Sequence, residues 1–341
     1  MAISSQLNLK HSMQIPGFSI NKNSNCFIIA EIGINHGGDY IVAQEMIDAA
    51  FNAGADGVKL QIVDPDDSYS KNNESHSIFS KSILTEKQIY DLVNNNINKG
   101  IVFATAGDVS SFKKCVNAKV QLYKISSGLL TNRPLINLVA KSKKPMIFSS
   151  GMATLKEIKS AVEYARLSGC EEISVLQCTS IYPAPEETLN LSAMNILEQN
   201  CNCIIGYSDH CLGWLACNTA VALGAKIIEK HFTLNNKLNG ADHKISLNYK
   251  DFSLMVKDIR NIEKMYGNGI KEPHKDEIKK RDSLRRYCVA KNNIYPGELF
   301  NINNVVFRRL GEEEKGIEAL NFDKIENKKA KRLYKSGSII I

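Results

Sequence analysis

The chain alternates regularly between short apolar runs and longer amphipathic segments from Cys26 to about Tyr266. Eight of the apolar runs are rich in Ile, Val, Phe or Tyr and are short enough to be strands buried on both faces. These runs are FIIAEI (27–32), GVKLQIV (57–63), IVFATA (101–106), VQLYKIS (120–126), PMIFSS (145–150), ISVLQC (173–178), CIIGYS (203–208) and KIIEKHF (226–232). Eight strands alternating with eight helical segments predict an α/β fold, a (β/α)8 TIM barrel. A doubly wound open sheet is the alternative, but the first strand lacks the GxGxxG turn typical of that fold.

The rest of the chain divides into a linker, a small domain and one long loop. Residues 1–267 are assigned to the barrel with a short N-terminal extension, and the polar, charged segment 268–282 is interpreted as a linker. Residues 283–341 hold short β-like runs broken by Pro296-Gly297, and a domain of about 60 residues is only marginally stable alone. Within the barrel, the polar stretch 64–84 is expected to be a long loop at the mouth, where such loops are often functional.

Composition narrows the class of protein. The start of the chain has no apolar segment behind a basic one, and no run of about 18 apolar residues occurs, so neither a secretory signal nor a membrane span is expected. Nine scattered cysteines fit a reducing, cytoplasmic compartment, and the CxC at Cys201 and Cys203 lacks the paired spacing of a zinc knuckle. The net charge of +7 would suit nucleic acid or an anionic small molecule. Because no aromatic residues interleave the basic runs, nucleic-acid binding is not expected.

Polar side chains cluster at the C-terminal ends of the predicted strands, where the active site of such a barrel lies. Because side chains alternate along a strand, Lys59 shares a face with Gln61, as Glu229 does with His231. Charged groups pointing into a barrel are costly unless they serve one another or a ligand. The polar residues at these strand ends are Glu31, Asn35, His36, Lys59, Gln61, Lys124, Ser126, Ser127, Gln177, Thr179, Tyr182, Ser208, Asp209, His210, Glu229 and His231.

Two histidines among these residues suggest a metal site. His210 and His231 end neighbouring strands, so their imidazoles could bind a divalent metal, with substrate or water in the remaining positions. Glu229 or Asp209 could orient the two rings. The alternative is a pair of buried histidines in ordinary hydrogen bonds.

Two lysines have two alternative functions. Lys59 and Lys124 are set among apolar neighbours, which is unusual for lysines on a protein surface. They could clamp a phosphate or carboxylate, or one of them could form a Schiff base as in an aldolase. Spacing alone therefore indicates a site that binds an anionic ligand and whose chemistry acts on a carbonyl group.

Longer motifs resemble a known family. AEIGINHGGDY (30–40), YKISSG (123–128), CTSIYPAP (178–185), GYSDHCLGW (206–214) and IIEKHFTL (227–234) are similar to segments of the sialic acid synthases, which include the legionaminic and pseudaminic acid synthases. The C-terminal YCVAKNNIYPGELF (287–300) resembles part of the antifreeze-like (SAF) domain of those enzymes. The resemblance implies a TIM barrel followed by this small β-rich domain, and a domain-swapped homodimer. It also implies a divalent metal, Mn²⁺ first, with Mg²⁺ or Co²⁺ as alternatives.

The implied reaction joins phosphoenolpyruvate to the aldehyde of an N-acetylated mannosamine-type sugar and gives a nonulosonic acid and phosphate. By resemblance, His210 and His231 match the two metal-binding histidines. The positions that hold phosphoenolpyruvate fall at Lys59, Lys124, Ser127 and Ser208, with Thr105 as a substitute hydroxyl. The implied catalytic positions are Glu31, Lys59, Gln61, Tyr182 and Asp242. The implied sugar contacts are Tyr182, Asp242 and Arg309, the last reaching from the antifreeze-like domain into the partner subunit's site.

The chain departs from the family pattern on the sugar side. After the third strand the usual S-T-P-F reads Thr105-Ala106-Gly107-Asp108, and the acidic residue that normally follows the fourth-strand serine is Leu129. The residues for metal and phosphoenolpyruvate are in place, so the acceptor sugar is what stays open. Two rival functions remain: a metal-free Schiff-base pyruvate aldolase, and a non-catalytic sugar- or ice-binding relative.

Overall fold

The computed structural model describes residues 12–240, 242–311 and 313–341, so residues 1–11 of the N-terminal extension lie outside the described residues. The chain divides into two compact units, one ending at Gly267 and one beginning at Asn268. The first unit starts with an antiparallel hairpin of β1 (Ser12–Ile15) and β2 (Phe18–Asn21). The hairpin joins the hydrophobic core of the barrel through side chains such as Met13, which is fully buried.

Eight parallel strands close into a barrel, so the predicted TIM barrel is confirmed. They are β3 (Phe27–Gly33), β4 (Gly57–Ile62), β5 (Ile101–Ala106), β6 (Tyr123–Ile125), β7 (Met146–Ser149), β8 (Ile173–Cys178), β9 (Ile204–Asp209) and β10 (Ile227–His231). Each strand pairs with the next along the chain, and β10 pairs back with β3. Nearly all strand residues are buried, because the inner face packs on the barrel core and the outer face packs on helices. The fourth predicted strand, 120–126, is shorter in the structure.

Within residues 12–240 and 242–267, ten helices follow the barrel strands. They are α1 (Tyr40–Asn52), α2 (Pro65–Ser68), α3 (Glu74–Ser80), α4 (Glu86–Asn94), α5 (Val109–Asn117), α6 (Arg133–Ala140), α7 (Leu155–Leu167), α8 (Ala193–Cys201), α9 (Leu215–Ala222) and α10 (Tyr249–Tyr266). Capping boxes at Thr85 and Thr154 open α4 and α7, because each hydroxyl accepts an N–H that the helix cannot satisfy internally.

The prediction of one long loop over 64–84 is wrong in part, because α2 and α3 lie within it. Asp64 caps α2 by accepting the N–H of Asp66, and Pro65 at the first helical position has its φ already fixed for a helix. Asn73 caps α3 by accepting the N–H of Ser75. Polar caps thus begin short helices in a stretch whose composition alone indicates a loop.

The second unit holds helix α11 (Lys275–Leu284) and an antiparallel pair, β11 (Tyr287–Ala290) and β12 (Val305–Arg308). The segment interpreted as a linker is therefore helical in its second half. No residue of α11 is buried, which is why no apolar periodicity marks the helix in the sequence. The unit has its own small core, made of Cys288, Ala290, Ile294, Phe300, Val305, Ala330, Tyr334 and Ile340. Its assignment as an antifreeze-like domain stays a prediction. No helix in the described part of the chain is long and apolar enough to cross a membrane.

Candidate active site

A cavity of about 360 Å³ opens at the carboxyl ends of the barrel strands. It brings together nine residues that the resemblance assigns to the site: Glu31, Lys59, Gln61, Lys124, Ser127, Tyr182, Ser208, His210 and His231. Seven others complete its wall: Ser126, Gly128, Ser149, Met152, Cys178, Ser180 and Glu229. The alternation of side chains along each strand explains the gathering, since Lys59 and Gln61 point to one face of β4.

Three other residues that the resemblance assigns to the site do not line this cavity. Thr105 lies beside it, where its Oγ1 accepts a hydrogen bond from Lys59 Nζ at 3.4 Å. Asp242 is near the metal-binding candidates, with its Oδ2 3.6 Å from His231 Nδ1. Arg309 belongs to the second unit, where it is exposed just after β12.

A carboxylate lies between the two buried lysines. Glu229 Oε1 is 3.2 Å from Lys124 Nζ, and Glu229 Oε2 is 3.6 Å from Lys59 Nζ. Lys59 also pairs with Glu31, and Ser208 Oγ donates to Glu229 at 2.9 Å. Lys124 Nζ donates to Ser149 Oγ at 2.6 Å. Two ammonium groups and two carboxylates thus balance one another inside the barrel mouth, where isolated charges would be costly.

The environment separates the acidities of the two carboxyl groups. Burial raises the pKa of Glu31 to about 7, although Lys59 acts in the opposite direction. Burial would also raise the pKa of Glu229, but Lys124 and Lys59 outweigh it and hold that pKa below its ordinary value. Glu31 is therefore the carboxyl group of this cavity that can exchange a proton near neutral pH.

The same balance acts on the lysines. Burial lowers the pKa of Lys124, and the attraction of Glu229 only partly offsets this. Burial would lower the pKa of Lys59 too, but Glu229 and Glu31 outweigh it and raise that pKa. Lys59 is thus firmly cationic, which suits a group that neutralises an anion.

The two histidines face each other at the cavity, with ring centroids 5.4 Å apart. His210 Nδ1 lies 2.7 Å from the carbonyl oxygen of Thr179, so Nδ1 is the donor and the lone pair is left on Nε2. His231 Nδ1 is buried and has no hydrogen-bond partner among the described residues. Neutral imidazole nitrogens without partners are what a divalent metal needs, so the pair fits such an ion.

The protein side chains alone do not complete a metal cage. Within the described ranges, no group of three or more His, Cys, Asp or Glu side chains is arranged to hold an ion. A metal on His210 and His231 would therefore take its other ligands from substrate or water, which is the open coordination that catalysis requires.

The loop after β8 places an aromatic ring over the histidines. The N–H of Ala184 donates to the carbonyl oxygen of His210 at 3.0 Å, which ties this loop to the end of β9. The ring of Tyr182 consequently lies 4.1 Å, centroid to centroid, from that of His210. About half of the Tyr182 side chain is exposed, so it forms the outer wall of the cavity rather than part of the core.

A second cavity, of about 640 Å³, adjoins the first and shares Gln61, Ser126 and Gly128 with it. Gly107, Asp108 and Leu129, at which the chain departs from the family pattern, lie in its wall. The Asp108 carboxylate is already used, because its Oδ1 accepts the Ser111 N–H at 2.7 Å and so caps α5. The wall also carries apolar side chains, namely Val63, Phe79, Val109, Leu129, Pro134 and Leu135.

Residues 46–271 match the NeuB family. An N,N'-diacetyllegionaminic acid synthase of Campylobacter jejuni is 36% identical over 330 residues, which cover 92% of this chain and 98% of that protein. The chain belongs to the NeuB family of sialic acid synthases. A pseudaminic acid synthase of Campylobacter jejuni is 32% identical over 346 residues, covering 96% of this chain and 98% of that one. The solved structure of an N-acetylneuraminic acid synthetase from Leptospira borgpetersenii, in complex with citrate, is 35% identical with a TM-score of 0.74. The match covers 81% of this chain and 99% of that one.

Membership of this family makes the protein an enzyme, a transferase that forms a carbon–carbon bond. The non-catalytic alternative is thereby set aside. Sequence reasoning missed the bridging position of Glu229 in this sialic acid synthase site, although the inward alternation with His231 had placed its side chain on the correct face. Neither Glu229 nor Asp209 hydrogen-bonds to a histidine ring, so the expectation that one of them orients the rings by direct contact is wrong: Glu229 contacts the lysines and Ser208, and Asp209 pairs with Lys230.

Proposed function

We propose that this protein condenses phosphoenolpyruvate with the aldehyde of an N-acetylated mannosamine-type sugar, using a divalent metal, to give a nonulosonic acid and phosphate. One observation carries the proposal: two buried lysines and two histidines face a single cavity at the mouth of a sialic acid synthase barrel. The lysines suit an anionic donor, and the histidines suit a metal that activates a carbonyl.

The donor would be held at the inner end of the cavity. Lys59, Lys124, Ser127 and Ser208 line it, and Thr105 lies beside Lys59, so cationic and hydroxyl donors are available to phosphate and carboxylate oxygens. In the free protein the carboxylates of Glu31 and Glu229 balance the positive charges of Lys59 and Lys124. An anionic donor would compete with these two carboxylates for the ammonium groups of Lys59 and Lys124.

His210 and His231 would hold the metal, with Mn²⁺ as the first choice and Mg²⁺ or Co²⁺ as alternatives. The Nδ1 of His231, which has no hydrogen-bond partner among the described residues, and the lone pair on His210 Nε2 support this assignment. When bound, such a metal polarises the aldehyde as a Lewis acid and helps to align the two substrates.

The chemistry then needs one new carbon–carbon bond and one broken carbon–oxygen bond. C3 of phosphoenolpyruvate bonds to the aldehyde carbon, whose oxygen takes up a proton and becomes a hydroxyl, and water adds at C2. The oxygen of that water becomes the ketone oxygen, so one proton of the water is accounted for by the sugar hydroxyl and the other by the released phosphate. The bond between C2 and the bridging oxygen breaks, and phosphate leaves with that oxygen. Glu31 accepts the proton from the water, since its carboxylate is buried in the cavity and titrates near neutrality.

The acceptor sugar would occupy the outer part of the site. Gln61, Tyr182 and Asp242 are proposed to contact it, and the second cavity offers room beyond Gln61. Leu129 and Val63 give that cavity an apolar edge, which suits acetamido methyl or deoxy groups better than a charged substituent.

The second unit is proposed to act on the same sugar in a partner subunit. The resemblance assigns this unit to the antifreeze-like domains, which implies a domain-swapped homodimer and a sugar contact by Arg309. Arg309 is exposed, so its guanidinium is available to a partner molecule. The arginine would then supply a planar set of N–H donors to the polar end of the sugar.

A Schiff-base pyruvate aldolase is the second candidate, because burial lowers the pKa of Lys124. The ion pair with Glu229 and the hydrogen bond to Ser149 act against it, since both hold Lys124 as an ammonium group. Borohydride trapping of pyruvate on the protein, insensitive to EDTA, would support this candidate.

The proposed reaction is tested by running it in H2¹⁸O with phosphoenolpyruvate and a mannosamine-type acceptor. Cleavage of the carbon–oxygen bond places ¹⁸O in the sugar acid and leaves the released phosphate unlabelled. Labelled phosphate would contradict the proposed route, because it requires water to attack phosphorus. The mass of the sugar acid identifies the acceptor.

A further inference from the structure

A buried ion pair lies in the barrel wall directly behind the histidines. Lys230 Nζ is 2.7 Å from Asp209 Oδ2, and neither side chain has any exposed surface. The two residues are neighbours across the β9–β10 ladder. Each immediately precedes a histidine in the chain, Asp209 before His210 and Lys230 before His231. Because side chains alternate along a strand, the charged pair points away from the cavity and the histidines point towards it.

The pair is connected to the turn that follows the first histidine. Asp209 Oδ1 accepts the N–H of Cys211 at 3.0 Å and the hydroxyl of Tyr207 at 2.9 Å. Lys230 Nζ donates to the carbonyl oxygen of Cys211 at 2.5 Å. The backbone on both sides of His210 is therefore held by one ion pair.

Stability alone does not account for these charges. Two ions buried in an apolar wall lose hydration that their mutual attraction only roughly repays, and hydrophobic residues of similar volume often serve as well. What an ion pair adds is a defined geometry, because it fixes the stagger of two strands and the direction of every hydrogen bond around it.

We propose that Asp209 and Lys230 are positioning residues that set the separation and orientation of His210 and His231 for the metal. This inference rests on the proposed metal function. The ion pair fixes β9 against β10, and its two hydrogen bonds to the backbone of Cys211 hold the backbone of His210. The carbonyl of Thr179 then has only to orient the imidazole ring, which it does through Nδ1.

The test is metal affinity in a variant that keeps the fold. Lys230→Met combined with Asp209→Asn removes both charges without leaving either one buried and unpaired, and Asn still accepts the N–H of Cys211. The matched control is Arg260→Met with Asp56→Asn, which removes an ion pair of 2.8 Å that holds the N–H of Ile28 at the start of β3. Full-length proteins are titrated with Mn²⁺ by calorimetry, and Co²⁺ absorption spectra report the ligand geometry.

We expect the Kd for Mn²⁺ to rise about 10- to 100-fold in the Lys230/Asp209 variant, the usual effect of losing a partner that supports a metal ligand. The Co²⁺ spectrum should change as well, whereas the Arg260/Asp56 control should lose thermal stability and keep the wild-type Kd and spectrum. A folded Lys230/Asp209 variant with wild-type Kd and spectrum would overturn the inference and leave the proposed function standing. Wild-type protein that binds no Mn²⁺ would overturn the proposed metal function, and the positioning role with it.

Discussion

The carboxylate of Glu229 lies 3.2 Å from the ammonium group of Lys124 at the inner end of the active-site cavity. Its other oxygen faces Lys59, so one carboxylate serves both cationic residues proposed to hold the donor. Binding of an anionic donor must therefore compete with an internal anion. Removal of the Glu229 carboxylate should therefore raise the affinity for phosphoenolpyruvate, which can be measured.

Glu229→Gln should destabilise the free protein and strengthen donor binding. Loss of the carboxylate leaves Lys124 without its ion pair, at a cost of about 3 kcal/mol, the low end for breaking a buried pair because Lys59 keeps Glu31. Phosphoenolpyruvate should restore the balance, so the rise in Tm that it causes should be larger in the variant than in wild type. The control Lys99→Gln removes an exposed ion pair with Asp48 and should change stability by less than about 0.5 kcal/mol. If phosphoenolpyruvate raises the Tm of Glu229→Gln and of the wild type equally, Glu229 does not compete with the donor for the lysines.

His210→Ala and His231→Ala should each lower kcat by about 10³-fold or more, since a Lewis acid contributes several kcal/mol to such a reaction. Both variants should keep the circular dichroism spectrum of the wild type, because the histidines face a cavity rather than the core. His274→Ala, at an exposed position, is the control and should retain activity. Normal turnover of either active-site variant, assayed with added Mn²⁺, would contradict the proposal that His210 and His231 bind the metal.

Leu129→Glu should weaken binding of the acceptor sugar and leave binding of phosphoenolpyruvate unchanged. Leu129 lines the second cavity and not the first, so a carboxylate there should raise the KM of the best acceptor about tenfold or more. The KM for phosphoenolpyruvate should be unchanged. Leu167→Glu, on the exposed end of α7, is the control. A parallel rise in both KM values would show that Leu129 does not act on the acceptor specifically.

Stability should fall as the pH drops from about 6.5 to about 4, in part because of His36. Burial lowers the pKa of His36 to about 4, and its Nδ1 accepts the N–H of Gly38 at 3.0 Å, which requires the neutral ring. In this window the unfolded chain binds the proton and the folded one does not, which removes up to about 3 kcal/mol of stability. His36→Asn should flatten this part of the pH profile, measured by urea denaturation. An unchanged slope would exclude His36 as its source.

The barrel was predictable because strands buried on both faces leave continuous apolar runs, which the eight segments show plainly. Alternation along a strand also predicts that Lys59 and Gln61 share a face. It could not predict that Glu229 meets Lys124, because β10 and β6 are far apart in the chain and only barrel closure brings their inward side chains together. Asp209 is different: strict alternation from Ser208 and His210 already places its side chain on the outer face, so the sequence itself excludes a direct contact with the histidine rings.

Release of phosphate is the most direct test of the central proposal. The protein is treated with EDTA and incubated with phosphoenolpyruvate together with N-acetylmannosamine, mannose or a diacetamido-trideoxy hexose, before and after addition of Mn²⁺. We predict no release without metal, none from phosphoenolpyruvate alone, and rapid release with Mn²⁺ and one of the acetamido sugars. Release that persists in EDTA, or that needs no sugar, would contradict a metal-dependent condensation.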